Sequence, residues 1–144
     1  MAEFILGMNG KMYFGAAAAA LGALTELTNV RDVTVNLEAG EADVTTRANS
    51  GWRATAPTLR ECSIDFEMVW KPDDAGFAAI KAAYLASETL ELAALDQARE
   101  TSGAQGPKGS FSITSFNRSE ALEEAMTVSV TAKMATFDEW VDVE

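Results

Sequence analysis

Residues 41–70 read EADVTTRANSGWRATAPTLRECSIDFEMVW, and the two halves of this stretch differ in kind. From Thr58 onward, Cys62, Ile64, Phe66, Met68 and Trp70 fall on one side of an extended chain, with Ser63, Asp65 and Glu67 on the other. That is the period-2 alternation of a half-buried strand. The preceding half carries Arg47, Trp52 and Arg53 around the turn signal Asn49-Ser50-Gly51, and it is too polar for a core element. It is read as a long loop over residues 39–57 that feeds a core strand.

Working outward, Val33, Val35 and Leu37 alternate with Asp32, Thr34 and Asn36 and predict a strand before the loop. After it, Pro72 stops the core strand, and Asp73 and Asp74 supply an N-cap and carboxylates for a first helical turn. Phe77, Ile80 and Tyr84 recur at i, i+3 and i+7, so this helix lays one apolar stripe on a sheet and runs to about Ala86. Further strands are expected at residues 90–94 (Leu90 and Leu92 inward), 109–116 (Phe111 and Ile113 inward) and 127–136. In the last, Val128, Val130, Ala132 and Met134 oppose Thr127, Ser129, Thr131 and Lys133. Residues 97–108, rich in Gly, Ser and charge, read as a loop, residues 137–144 as an acidic tail around Trp140, and residues 1–28 as an N-terminal arm. Within the arm, Ala16 to Leu24 has high helix propensity but is bracketed by Gly15 and Gly22; it is read as arm or loop, with a short helix as the competing reading, and the structure of Ala16 to Ala20 is left open. The element order predicts a mainly β fold, an antiparallel β-sandwich or half-barrel with one flanking α-helix, in a single domain over residues 1–144.

A chain of 144 residues can bury roughly 68–70% of its unfolded surface, enough for its own core. Its single cysteine excludes an internal disulfide, and no zinc-ligand spacing exists. The formal charge, 11 − 22 = −11, argues against ordinary nucleic-acid binding and against attraction to an anionic membrane. Residues 13–24 have the length of a signal-peptide core, but they are mostly alanine and glycine, with Glu3 as well as Lys11 before them. No run of about 18 strongly apolar residues is present, so no membrane span is expected.

Candidate chemistry is sparse. The chain has no histidine, which removes the commonest general base and metal ligand. Cys62 lies on an apolar strand face and reads as an inert thiol. Asp65 and Glu67 project from one strand face about 7 Å apart, a spacing compatible with a glycosidase pair, although a solvated or channel-facing sheet surface explains them better. GAQGPKG (residues 103–109) has the wrong order for a phosphate loop, and calcium-loop spacing is absent. Neither catalytic residues nor a metal or cofactor is expected. What remains is a set of strands whose polar faces alternate Thr and Ser with charge and are not the lysine-studded faces of a guarded monomer, a pattern suited to edge-to-edge assembly.

Three segments carry a family resemblance: FILGMNGKMYFG, then LTELTNVRDVTVNLEAGEADVTTRANSGWRATAPTL, then DFEMVWKPDDAGFAAIKAAY. With GSFSITSFNRSEALEEAMTVSVTAK late in the chain, they resemble the tail tube (major tail) protein of long-tailed bacteriophages and related prophage tails. The resemblance implies hexameric rings, with strands of each subunit joined in a continuous inner β-barrel, stacked into a hollow virion tube that conducts DNA. It implies self-association, with tape-measure, tail-terminator and tail-tip proteins as further partners, and assembly in the host bacterial cytoplasm. DNA would pass without specific binding, and no membrane is involved. In such proteins a long loop reaches a neighbouring subunit or ring. Here that makes Asp43, Arg47, Trp52 and Arg53 the expected inter-subunit residues, and Asp65 and Glu67, or other acidic strand positions, the expected channel-facing acids. Against this stands a simpler reading in which Trp52 covers its own sheet and the arginines pair with Asp43 or Glu41. The rival functions are the inner tube of a contractile tail or injection device, and a monomeric ligand-binding β-sandwich.

Overall fold

A computed structural model describes residues 5–143. Its strands are β1 (Lys11–Gly15), β2 (Thr25–Glu26), β3 (Val30–Asp43), β4 (Thr55–Val69), β5 (Thr89–Leu95), β6 (Gln105–Ser119) and β7 (Thr127–Asp142), with helix α1 (Ala75–Ala86) between β4 and β5. The strands form a single antiparallel sheet in the order β2-β1-β5-β6-β7-β4-β3. Its two edge strands, β2 and β3, are separated in sequence by residues 27–29 alone. At one end of that link Leu27 N–H donates to Met12 O at 2.8 Å, and at the other Val69 N–H donates to Asn29 O at 3.0 Å. So short a link between the edges requires the sheet to curl on itself. The result is the half-barrel form of the expected β architecture.

The concave side holds the main core. Ile64, Phe66 and Met68 from β4 meet Val128, Val130 and Ala132 from β7, Phe111 from β6 and Leu92 from β5. Helix α1 closes this side with Phe77, Ile80 and Ala83. Asp74 caps the helix as expected, its carboxylate accepting from Phe77 N–H at 3.0 Å, and the helix ends at Ser87 in the left-handed region with φ 55°. Trp70, half-buried just past β4, packs edge-on against Phe77 with centroids 4.8 Å apart.

A second, smaller core lies on the opposite face, where Tyr13, Leu24, Ala93, Leu95 and Val141 meet beneath the alanine-rich segment. Strand β5 is therefore buried on both faces from Leu90 to Leu95.

Several expectations need correction. The predicted N-terminal arm contains β1, a strand inside the sheet between β2 and β5, with Met12 and Tyr13 buried. A five-residue strand with Met12 buried in the main core and Tyr13 in the second core shows no alternation by which to be found; residues 1–4 of that arm lie outside the described residues. The loop expected over residues 39–57 is mostly ladder: Glu41 pairs with Pro57, Ala42 with Ala56 and Asp43 with Thr55, leaving residues 44–54 as the tip. A hairpin exposed on both faces carries no hydrophobic period. Residues 105–108 of the expected loop belong to β6, with Gly106, Pro107 and Lys108 buried. A Cβ at Gly106 would sit 1.7 Å from Ala94 O, so the glycine marks a close strand approach and not a turn. The expected acidic tail extends β7 to Asp142, with Val141 buried.

Candidate assembly surfaces

The face of β6, β7, β4 and β3 turned away from the main core is a ladder of hydroxyls, amides and charges. One cross-strand row runs Thr34, Asp65, Thr131, Ser115, and the next runs Asn36, Ser63, Lys133, Ser112. Asp65 accepts from Asn36 Nδ2 and from Thr131 Oγ1, each at 2.8 Å, tying three strands together. Glu67 accepts from Arg31 Nη1 at 3.3 Å. Both acids point away from the core, as the alternation in β4 requires, and each carboxylate is occupied by a neighbouring strand.

The four strands β6, β7, β4 and β3 end in two free edges. Pairing of β6 with β5 stops at Ser112 opposite Thr89, whereas pairing with β7 continues to Ser119 opposite Thr127. Residues 113–119 therefore have a strand on one side only, among the described residues. On the far side, β3 is a sheet edge over its whole length. Between its two bulges, residues 33–39 run regularly and carry neither proline nor lysine as an edge guard. Val33, Val35 and Leu37, in register with Phe66, Ile64 and Cys62 on the core-side face, are nevertheless 39%, 37% and 55% exposed. They correct the expectation of a half-buried strand: the apolar face is present, but no element of the described chain covers it.

The hairpin tip, residues 44–54, is rigid by its own hydrogen bonds. Thr46 caps a 3-10 turn at Arg47–Asn49, and Thr46 N–H donates in return to Asn49 Oδ1 at 2.6 Å. Thr45 Oγ1 accepts from Ala54 N–H at 2.8 Å across the tip. Ser50 and Gly51 take φ 53° and 87°, the left-handed pair that reverses the chain. Asp43 accepts from Thr45 N–H at 2.9 Å, and hydrogen bonding to Thr45 holds its carboxyl below the usual range. Of the four residues expected here, the fold brings together Asp43 and Arg53, 3.7 Å apart and both exposed. Arg47 makes no ion pair among the described residues, and Trp52 stands 79% exposed. The covering role of Trp52 in the simpler reading is therefore not realised within the subunit, whereas its arginine pairing is realised at Arg53.

The family described as phage tail tube protein matches residues 11–136. The chain belongs to this family. Solved structures share its fold: the SPP1 tail tube, determined by solid-state NMR and cryo-EM, superposes with a TM-score of 0.73 at 21% identity, covering 98% of this chain and 81% of that one. The tail of an empty gene transfer agent particle, refined helically with C6 symmetry, gives a TM-score of 0.73 at 19% identity over 96% of this chain and 98% of that one. The virion of a native gene transfer agent particle gives 0.71 at 19% identity over 93% and 98%. No curated protein matches the chain.

In this tail tube protein, the strongest polar contacts lie where the sequence gives least warning. Glu91, wholly buried in β5, accepts from Lys108 Nζ at 2.7 Å, from Ser110 Oγ at 3.2 Å and from Ala18 N–H at 3.0 Å. Lys108 also donates to Asp138 at 3.0 Å. Arg99 donates to the carbonyls of Leu21 and Leu24 and lies 4.8 Å from the Tyr13 ring centroid. These contacts hold the alanine-rich segment on the second core, and Ala18 takes φ 67° to meet Glu91. The available signal was a lone carboxylate in the apolar run Leu90-Glu91-Leu92-Ala93-Ala94, which required a buried cation. Burial raises the Cys62 thiol pKa, as expected of an inert side chain. Among the described residues no cluster of metal-ligating side chains occurs, and no helix is long and apolar enough to cross a membrane.

Proposed function

We propose that this tail tube protein polymerises by cyclic strand pairing into hexameric rings, which stack as the hollow tube through which DNA is delivered. The observation that carries the reading is the pair of free edges on either side of β6, β7, β4 and β3. The four strands alternate in direction, so the β3 edge of one copy meets the β6 edge of the next antiparallel. The same rotation can repeat until the ring closes, and closure removes both edges. The regular stretch of the β3 edge, residues 33–39, is as long as the free run of β6, residues 113–119. The C6 symmetry of the gene transfer agent tail supports six copies.

In this ring the polar face of the four strands lines the channel, with Asp65 and Glu67 among the lining residues. Six copies carry a formal charge of roughly −66, which repels passing DNA from the wall instead of holding it. The hairpin tip, led by Arg47, Trp52 and Arg53, reaches the adjacent subunit or ring, since Arg and Trp dominate interface hot spots. Tape-measure, terminator and tip proteins complete the tail, which is assembled in the bacterial cytoplasm. No catalytic step belongs to this role; Asp65 and Glu67 are strand-tying, wall-forming residues. Hydrogen exchange before and after polymerisation tests the reading: backbone amides of residues 33–39 and 113–119 should slow together. Unchanged exchange in both runs would contradict it.

A further inference from the structure

We infer that helix α1 roofs the joint between copies, with Tyr84 and Leu85 of one copy seated on Val33, Val35 and Leu37 of the next. The inference rests on the strand-paired ring proposed above and names what covers its exposed apolar strand. Helix α1 packs on β6 at its free end: Tyr84 stacks on Phe116 with centroids 5.9 Å apart, and Phe77 meets the same ring at 5.9 Å. Phe116 lies within residues 113–119, the run left without a second neighbour. A helix is about 10 Å across and strands lie about 4.8 Å apart, so a helix centred over an edge strand also overhangs the position next to it.

Among the described residues no strand fills that position, and the helix presents apolar surface towards solvent: Tyr84 is 41% exposed and Leu85 71%. The β3 strand that pairs there brings the matching half. Its core-side face carries Val33, Val35 and Leu37, exposed by 39%, 37% and 55% and left uncovered by any element of the described residues. In a continuous sheet, core-side faces of neighbouring copies align, so these three residues arrive on the same side as Phe116 and beneath the helix. The joint thereby combines backbone pairing at the edge with side-chain burial above it, and the second component supplies hydrophobic drive that exposed backbone hydrogen bonds lack.

Two measurements on polymerised protein decide the matter. Copies carrying Val35→Cys are mixed with copies carrying Leu85→Cys, polymerised and oxidised; a disulfide-linked heterodimer is expected, and neither single variant alone should give it, because Cys62 is buried. Hydroxyl-radical footprinting of the wild-type chain should show oxidation of Tyr84 and Leu85 falling severalfold on polymerisation, together with that of Val33, Val35 and Leu37. Protection of the β3 residues without Tyr84 and Leu85 means that another segment, such as Ile5 to Met8 of a second copy, is the cover, and overturns the inference while the ring reading stands. Rings that form with neither patch protected also overturn it. Failure of wild-type protein to form rings overturns the ring reading, and the roof with it.

Discussion

Lys108 Nζ lies 2.7 Å from Glu91 Oε2 where the Glu91 side chain has no solvent exposure, and this pair ties three strands to the alanine-rich segment. Breaking such a pair from one side leaves a buried charge without compensation. Lys108→Met is expected to cost about 3–5 kcal/mol of stability, whereas Glu91→Leu combined with Lys108→Met should recover much of that loss. Thermal or urea unfolding of the subunit checks both; a double variant no more stable than the single would show that charge compensation is not what the pair supplies.

The same cluster sets a pH window. Burial alone would lower the Lys108 pKa, but hydrogen bonds to Glu91 and Asp138 and their charges outweigh it, and the value is raised above 10.5. Asp138 is held below 3.8 by hydrogen bonding within the cluster, where it accepts from Lys108 at 3.0 Å. A depressed carboxylate contributes stability above its unfolded pKa and loses it as pH falls through the folded value; a raised lysine contributes below its unfolded pKa and loses it as pH rises through the folded value. Stability from this cluster should therefore be level from about pH 5 to 9, fall in acid below about pH 4, and fall in alkali above about pH 10.5. Urea midpoints across pH, compared with Lys108→Met, measure it: the variant should lose the alkaline limb.

At the hairpin tip, Trp52 and Arg53 have little to do within the subunit, where Arg53 makes one exposed ion pair worth no more than about 1 kcal/mol. Trp52→Ala with Arg53→Ala should leave the unfolding midpoint of the subunit nearly unchanged and strongly impair polymerisation. Normal tubes from this variant, seen by negative stain, would remove the tip from assembly.

On the polar face, Asp65→Lys with Glu67→Lys should permit tubes to form but impair DNA delivery, as the wall turns from repelling to attracting phosphate. Infectivity of particles carrying the variant reads it, and undiminished delivery would contradict a repulsive channel wall. Asp65→Asn is the milder control, retaining an oxygen to accept from Asn36 or Thr131.

The legible parts of the fold were those where one face is wet and the other dry. Strand β4 announced itself through Cys62, Ile64, Phe66 and Met68, and α1 through Asp74, Phe77 and Ile80. Elements in uniform surroundings were hidden. Strand β1 puts Met12 and Tyr13 into opposite cores and the start of β6 is buried, so Tyr13 and Lys108 looked like arm and loop; the β3–β4 hairpin is wet on both sides and looked like loop as well. Val33, Val35 and Leu37 were legible as a face, but a sequence cannot tell a face buried in its own fold from one left for a second copy. The tip residues Arg47, Trp52 and Arg53 were visible by type; that Asp43 and Arg53 meet while Trp52 stands free depends on how Ser50 and Gly51 turn the chain.

Ring closure is the claim on which the rest depends. Electron microscopy of the purified, concentrated chain tests it most directly, before and after seeding with tail tips. The account predicts six-fold rings or tubes with an open central channel, whereas a chain that remains monomeric at high concentration even when seeded would contradict it.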